Sequence, residues 1–324
     1  MRAFVTGATG FVGGHVAEAL LRRGDALTVL ARSPARAAGL AARGATVVAG
    51  DLASADALAR AAEGADVIYH VAALTGAPDE AAFLRANRDG TAAVLDAARR
   101  TAPGARVVLV SSMAAGGPAV RGRPHAGELP AAPVTAYGRS KLAAEEVVRG
   151  GELPWTIVRP PTVYGPRDRD NLLALFRLAR LGVVPVFGDG TMELSAVHVE
   201  DLAEAIVRAG TAADVVRRAF YVNHPEVVTS AALVEQVAAA LGRRVTLLPL
   251  PRGVARAALG LVGGAATLLG RATILHPDKI HEFYAEAWTA DPSPFMAATG
   301  WAPRHDLATG LAQTLRWYRE AGWL

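Results

Sequence analysis

Thr6-Gly-Ala-Thr-Gly-Phe-Val-Gly13 follows the apolar run Ala3–Thr6, which reads as a β-strand, and opens an alanine-rich segment of helical period. That order of strand, glycine-rich turn and helix makes the turn a phosphate cradle rather than a chance cluster of glycines. Gly7 permits the tight turn, Gly10 lets the backbone approach a pyrophosphate, and Gly13 allows helix and strand to pack closely. The first N–H groups of the helix, unpaired and at the positive end of its dipole, face the phosphates. Thr9, Phe11 and Val12 lie in the same turn and are assigned to the same ligand.

Outward from this loop, β-branched apolar runs alternate with alanine-rich helical segments over the first 160 residues or so, as in a parallel sheet with helices on both faces. The expected strands are Ala3–Thr6, Ala26–Ala31, Thr46–Ala49, Val67–His70, Arg106–Val110 and Thr156–Arg159. The expected helices are Phe11–Arg23, Ala35–Arg43, Ala55–Glu63, Glu80–Arg100 and Thr135–Gly150. After Pro160, Pro and Gly punctuate shorter elements, with helices at Asn171–Leu181, Val199–Ala209 and Ser230–Leu241, the last capped by Ser230. The fold class is therefore α/β, a Rossmann-type doubly wound parallel sheet with a smaller mixed α/β C-terminal substrate region. The expected division is 1–165 for the dinucleotide-binding domain and 166–324 for the substrate region, with some return of the chain to the first core.

A chain of 324 residues, 52% hydrophobic and 20% charged, is globular and too long for a small binding module. Its net charge of +4 is spread among acids, without the basic stripe that nucleic acid needs. No cysteine occurs, which excludes disulfides and thiolate metal sites and fits a reducing compartment. The first residues run into a strand without the order of a signal peptide, so the expected location is cytoplasmic. Ala257–Gly270 is an uncharged apolar run of 14 residues, short of the roughly 20 that span a bilayer. No metal site is expected, and His125 is assigned nothing.

The choice of dinucleotide is read at the end of the second strand, where an acid would hold a ribose 2′-hydroxyl and an arginine a 2′-phosphate. Thr28-Val-Leu-Ala-Arg32-Ser-Pro-Ala-Arg36 carries no acid, so NADP(H) is preferred over NAD(H), with Arg32 the main phosphate contact and Arg36 a second. After the third strand, Asp51 of Gly50-Asp51-Leu52 suits either the adenine amino group or the cap of the next helix.

Tyr137-Gly-Arg-Ser-Lys141 supplies the chemistry. Of the 34 basic residues only Lys141 and Lys279 are lysines, so composition does not account for a lysine here. On a helix, positions i and i+4 share a face, and an ammonium beside a phenol is expected to lower the tyrosine pKa from about 10 towards neutrality. Tyr137 then becomes an acid/base catalyst.

With these motifs in place the sequence resembles the extended short-chain dehydrogenase/reductase family. The matches are TGATGFVG at 6–13, GDL at 50–52, HVAA at 70–73, NRDGT at 87–91, VSS at 110–112, YGRSK at 137–141, RPPTVYGPRD at 159–168, HVEDLAEAI at 198–206 and GWAP at 300–303. The resemblance implies a triad in which Ser112, rather than Ser111, binds the substrate oxygen, Tyr137 passes the proton and Lys141 holds the nicotinamide ribose. It places Val71, Ala72 and Ala73 along the nicotinamide, and Pro160 to Val163 at the carboxamide. It reads Asn87 as a structural brace and His198 and Asp201 as packing and capping at a helix start.

Three features choose among the family's reactions. Met113, Ala114 and Ala115 stand where dehydratases carry acids, and Leu194 stands where nucleotide-sugar members carry a diphosphate-gripping arginine, a role left to Arg167, Arg169 or Arg177. The run 248–270 reads as a packed, glycine-broken helix pair, or as a lid or interfacial segment with peripheral membrane contact near 252–270. The implied activity is reduction of a small or apolar carbonyl or oxidation of a secondary alcohol, as in the dihydroflavonol-reductase and 3β-hydroxysteroid-dehydrogenase branch. The alternatives are a nucleotide-sugar 4-epimerase with bound cofactor and a catalytically idle NADP-binding regulator. A homodimer is expected through the helices at 80–100 and 135–150. The Arg32 argument predicts a lower Michaelis constant for NADPH than for NADH, and steady-state kinetics with both cofactors check it; an NADH preference overturns it.

Overall fold

A strand buried on both faces of a parallel sheet is apolar along most of its length, as Ala3–Val5, Val29–Ala31, Val67–Tyr69 and Val107–Val110 are here. The computed structural model describes residues 1–127, 130–268 and 277–324. Its first half holds β1 (Arg2–Thr6), α1 (Phe11–Arg23), β2 (Ala26–Ala31), α2 (Ala38–Ala41), β3 (Thr46–Ala49), α3 (Ala55–Ala62), β4 (Val67–His70), α4 (Glu80–Leu84), α5 (Gly90–Thr101), β5 (Arg106–Val110), α6 (Met113–Gly116), α7 (Ala136–Arg149) and β6 (Trp155–Arg159). The second half holds β7 (Thr162–Tyr164), α8 (Leu173–Arg180), β8 (Val183–Phe187), β9 (Glu193–His198), α9 (Val199–Ala209), β10 (Arg218–Tyr221), β11 (Val227–Thr229), α10 (Ser230–Ala240), β12 (Thr246–Leu250), α11 (Arg252–Leu268), α12 (Lys279–Phe283), β13 (Ala287–Trp288), α13 (Ser293–Thr299) and α14 (Leu307–Glu320).

The main sheet is parallel in the order β10-β6-β5-β4-β1-β2-β3. The order reverses at β1, so the carboxyl ends of β1 and β4 diverge into the crevice where such sheets bind ligands. Val16 and Leu20 of α1 and Leu202 and Ile206 of α9 cover one face, and Leu58, Val94, Ala144 and Val148 of α3, α5 and α7 cover the other. The chain returns after α9 to add β10 as an edge strand. The remaining strands form a mixed sheet around β9 and the parallel pair β8–β12.

Four expectations change. The helix expected at 35–43 is a 3₁₀ turn, Pro34–Ala37, followed by the single turn α2, because Gly39 weakens it and Gly44 at φ +97 ends it. The helix expected at 80–100 is broken by a π-turn over Arg85–Asp89. This extra residue turns Asn87 inward, where its Oδ1 accepts from Leu74 N at 2.8 Å and its Nδ2 donates to Leu74 O at 3.1 Å and Ser140 Oγ at 2.9 Å. Helix α10 is capped by Thr229, not Ser230: Thr229 keeps the extended backbone that a cap needs, and its Oγ1 accepts from Ala232 N at 3.1 Å. Finally, α11 runs unbroken from Arg252 to Leu268 in place of a helix pair, and residues 269–276 lie outside the described residues.

One buried ion pair locks α7 to the sheet. Arg159 on β6 grips Glu145 on α7 with two parallel bonds, Nε–Oε1 at 2.8 Å and Nη2–Oε2 at 2.6 Å, and Ser111 Oγ donates to the same carboxylate at 2.5 Å. Both side chains are almost wholly enclosed, at 4% and 0% exposure. Removing one partner strands the other charge. Glu145→Ala is therefore expected to cost about 3–5 kcal/mol in chemical denaturation, whereas the double change Glu145→Leu with Arg159→Met costs less than the single one.

Candidate active site

Every residue that the sequence assigns to cofactor or chemistry borders one cavity of about 2040 Å³ at the carboxyl edge of the sheet. At one end Gly7, Thr9, Gly10, Phe11 and Val12 line it, followed by Arg32, Arg36, Asp51, Leu52 and Val71 to Ala73; Ser112, Tyr137, Lys141, Pro160 and Val163 border its middle.

The loop is built for a large anion held by backbone. Gly7 sits at φ +75, and a Cβ on it would lie 2.7 Å from Ala72 N, so the approach of the turn after β4 admits only glycine. A Cβ on Gly13 would lie 2.2 Å from the Gly7 carbonyl oxygen. Gly10 occupies the N-cap of α1 without any side-chain cap, leaving the first-turn N–H groups for a ligand. This cradle fits a dinucleotide pyrophosphate. Arg32 and Arg36 stand exposed after β2 and border the cavity. Asp51 serves its own turn, its Oδ1 accepting from Ala53 N at 3.0 Å and Ser54 Oγ at 2.8 Å.

A chain of hydrogen bonds ties this loop to the reactive end. Burial holds the His70 imidazole neutral, pushing its pKa down to about 3. Thr6 Oγ1 accepts from Ala72 N at 3.2 Å and lies 2.7 Å from His70 Nδ1, while His70 Nε2 lies 3.0 Å from Thr91 Oγ1, which donates to Asn87 O at 2.6 Å. The order is consistent with a proton on Nε2.

Tyr137, Lys141 and Glu145 follow one another at four-residue spacing on α7, whose N-terminus is capped by Thr135 Oγ1 accepting from Gly138 N at 3.1 Å. Lys141 Nζ donates to Val110 O at 2.8 Å, and burial lowers its pKa to about 8 against the raising charge of Glu145. The expected depression of the Tyr137 pKa is not found. Burial pushes the phenol up to about 12, opposed by its hydrogen bond with Ser112 and reinforced by the nearby charge of Glu282. The ammonium faces the Val110 carbonyl, so desolvation governs the phenol. Ser112 caps α6, its Oγ accepting from Ala114 N at 3.1 Å, whereas Ser111 turns away to Glu145.

Sequence reasoning missed α12, at the far side of this cavity. Lys279 Nζ and Glu282 Oε2 are 2.6 Å apart, both side chains partly buried on the cavity wall. Asp278 Oδ2 accepts from Ala136 N at 2.6 Å, which fastens α12 to the residue before Tyr137. The rarity of lysine was the available signal, since both lysines line the same cavity.

Other candidates fall elsewhere. Arg167 forks onto Glu18 at 2.9 Å twice, Arg169 lies over the Trp323 ring at 4.3 Å, and Arg177 donates to Trp323 O at 3.3 Å; none borders the cavity, whereas Leu194 does. His198 takes the N-cap position of α9 without capping through its side chain, and its ring lies tilted against that of His305 with centroids 4.0 Å apart. Asp201 does not cap either: it accepts from His305 N and pairs with His305 Nδ1, both at 3.0 Å. Ligand-capable atoms of His198, Asp201 and His305 lie within 4.8 Å of one another, but Arg304, 3.8 Å from Asp201, already supplies a cation. His125 stacks on Tyr221 at 5.5 Å.

The sequence model of the NAD dependent epimerase/dehydratase family matches residues 3–223. The chain belongs to this family. Among its relatives, a ceramide reductase of Caulobacter vibrioides is 36% identical over 99% of this chain and 95% of that protein. A 4-hydroxy-2-methyl-3-oxo-4-farnesyl-3,4-dihydroquinoline-1-oxide ketoreductase of Stigmatella aurantiaca is 34% identical over 64% of each chain. The solved structure of MoeE5 in complex with UDP-glucose and NAD superposes with a TM-score of 0.78 at 25% identity, covering 99% of both chains.

The depressed pKa of Lys141 has a stability consequence for this family member. Below about pH 8 the folded chain holds a desolvated ammonium that the unfolded chain hydrates; between about 8 and the ordinary value of 10.5 the unfolded chain binds the extra proton, so this cost fades as pH rises. Lys141→Met is thus expected to gain melting temperature relative to the parent near neutrality, with the gain shrinking through that window in paired thermal melts.

Proposed function

We propose that this chain is an NADP(H)-dependent carbonyl reductase acting on a long-chain, apolar ketone, with residues 1–165 holding the cofactor and 166–324 closing over the substrate. The observation that carries this reading is the far half of the cavity, where Leu175, Phe187, Leu194, Leu233 and Phe283 surround the space beyond Tyr137. Among the described residues no arginine lines that half to grip a sugar-linked diphosphate, and no acid follows Ser112 to drive an elimination. The ceramide reductase and the farnesylated-quinoline ketoreductase among the relatives support a lipid-like carbonyl.

A bound nicotinamide dinucleotide supplies the hydride. In this reading Ser112 Oγ, held by the Ala114 N–H, orients the carbonyl oxygen beside Tyr137. Burial keeps the Tyr137 phenol protonated at neutral pH, ready to give its proton to that oxygen as charge develops there. Lys141, on the same helix, is assigned to hold the nicotinamide ribose. The substrate region excludes water from the transfer. Lys279 and Glu282, a donor and an acceptor on the wall near Tyr137, bind a hydroxyl or amide close to the reacting carbonyl.

The test is a screen of long-chain ketones with NADPH, followed at the nicotinamide absorbance. Tyr137→Phe is expected to abolish turnover while leaving NADPH binding intact, and more than a few per cent residual activity refutes the assignment. Glu282→Gln is expected to raise KM about tenfold for a ketone bearing a neighbouring hydroxyl or amide, with little change for the plain ketone. Turnover of UDP-sugars without added cofactor would instead favour the 4-epimerase reading.

A further inference from the structure

From Gln236 to Pro277 the sequence carries five arginines and no acid. Over such a stretch a chain of otherwise mixed charge becomes uniformly cationic. The described part of it holds β12 and α11, with Arg243, Arg244, Arg252 and Arg256 all exposed. The exposed large aliphatic side chains gather in the same place: Leu181 (77%), Leu261 (76%), Val254 (55%), Leu248 (54%), Val183 (48%) and Leu178 (37%). They come from α8 and the residue after it, β8, β12 and α11. The other large apolar side chains that are exposed among the described residues, Met1, Leu74, Val120 and Val227, belong to other segments of the chain.

Register explains the arrangement. In the parallel pair β8–β12, Val183 lies opposite Thr246 and Pro185 opposite Leu248, all outward, while Val184 and Val186 point into the core beneath. On α11, Ala255 and Leu259 are buried, and Val254, Arg256 and Leu261 lie outward. The result is an apolar face mixed with arginines. It also surrounds the mouth of the large cavity, because Leu178, Pro185 and Ala258 are exposed and line that cavity at once.

We propose that this face rests on an anionic lipid surface, its aliphatic side chains at the headgroup–acyl boundary and its arginines on lipid phosphates, with the cavity mouth opening towards the bilayer. The charge selects the occupant. A second copy of the same face would bring two acid-free arginine clusters together, whereas an anionic bilayer complements both the charge and the apolar side chains. No described helix is long and apolar enough to cross a membrane, so the contact is interfacial. Delivery of an apolar substrate through the mouth rests on the reductase reading, but binding to lipid does not.

The test is co-sedimentation of the full chain with vesicles of phosphatidylcholine containing about 30% phosphatidylglycerol, against phosphatidylcholine alone, at low and high salt. The chain is expected to bind the anionic vesicles at least about tenfold more tightly, and more weakly as salt rises. Leu248→Glu with Leu261→Glu, and separately Arg252→Glu with Arg256→Glu, are expected to weaken that binding about tenfold or more. NADPH binding and turnover of a small water-soluble ketone are expected to stay unchanged in both variants, which shows that each has folded. No binding by the parent chain, equal binding by the variants, or a parent dimer that Leu261→Glu dissociates would each overturn the proposal. Loss of small-ketone turnover in the parent counts against the reductase reading alone, since vesicle binding is read on the protein itself.

Discussion

The Glu145–Arg159 pair is the interaction on which the site geometry depends. Two charges so enclosed cannot be left in low dielectric without a close, bidentate partner, and here the partner is supplied by a different element of the fold. Arg159 ends β6 and Glu145 sits two turns below Tyr137 on α7, so satisfying the pair sets the height and rotation of that helix against the sheet. Ser111 donates to the same carboxylate. With Ser111 turned inward, the next residue, Ser112, faces outward beside Tyr137, since successive residues in an extended segment point to opposite sides. The buried pair thus places both hydroxyls of the proposed chemistry without touching the cavity.

A second constraint runs from the phosphate loop. Thr6, His70, Thr91 and Asn87 connect the end of β1 to the π-turn by a continuous line of hydrogen bonds, and Asn87 continues it to Ser140 on α7. Such a line holds only while the imidazole stays neutral, because a doubly protonated ring would lack an acceptor for Thr6. Burial provides for this by keeping His70 far below its ordinary pKa. Loop and helix are therefore registered to each other through a line of buried hydrogen bonds.

Much of the fold was legible because the strands of a parallel sheet show as short runs rich in β-branched apolar residues; β2, β3, β4 and β5 match their sequence readings residue for residue. The loop, the three catalytic candidates and the flanking turns were legible as motifs, and the structure gathers them around one cavity. What was not legible depends on tertiary contact. The π-turn exists to aim Asn87 at Leu74 and Ser140, partners 13 and 53 residues away, so local helix propensity gave no sign of it. The Tyr137 pKa was misjudged because the i, i+4 spacing predicts proximity and not direction: the ammonium points to Val110, and desolvation dominates. Thr229 and Ser230 are both good caps by type, and only the end of β11 decides between them.

The scarcity of lysine is informative in the same physical way. An arginine at 141 would be fixed in its charge and would present a broad fork, whereas a lysine is a compact donor whose proton affinity responds to burial, as its fall to about 8 shows. The same reasoning extends to position 279. An arginine there would engage both oxygens of Glu282 in a fork, while Lys279 makes one contact, to Oε2 at 2.6 Å, and does not claim the other oxygen. An acceptor near Tyr137 on the cavity wall suits, in the proposed reading, a substrate that carries a hydrogen-bond donor near its carbonyl. In a chain that uses arginine almost everywhere else, both lysines border the cavity, each where a point charge serves and a fork would not.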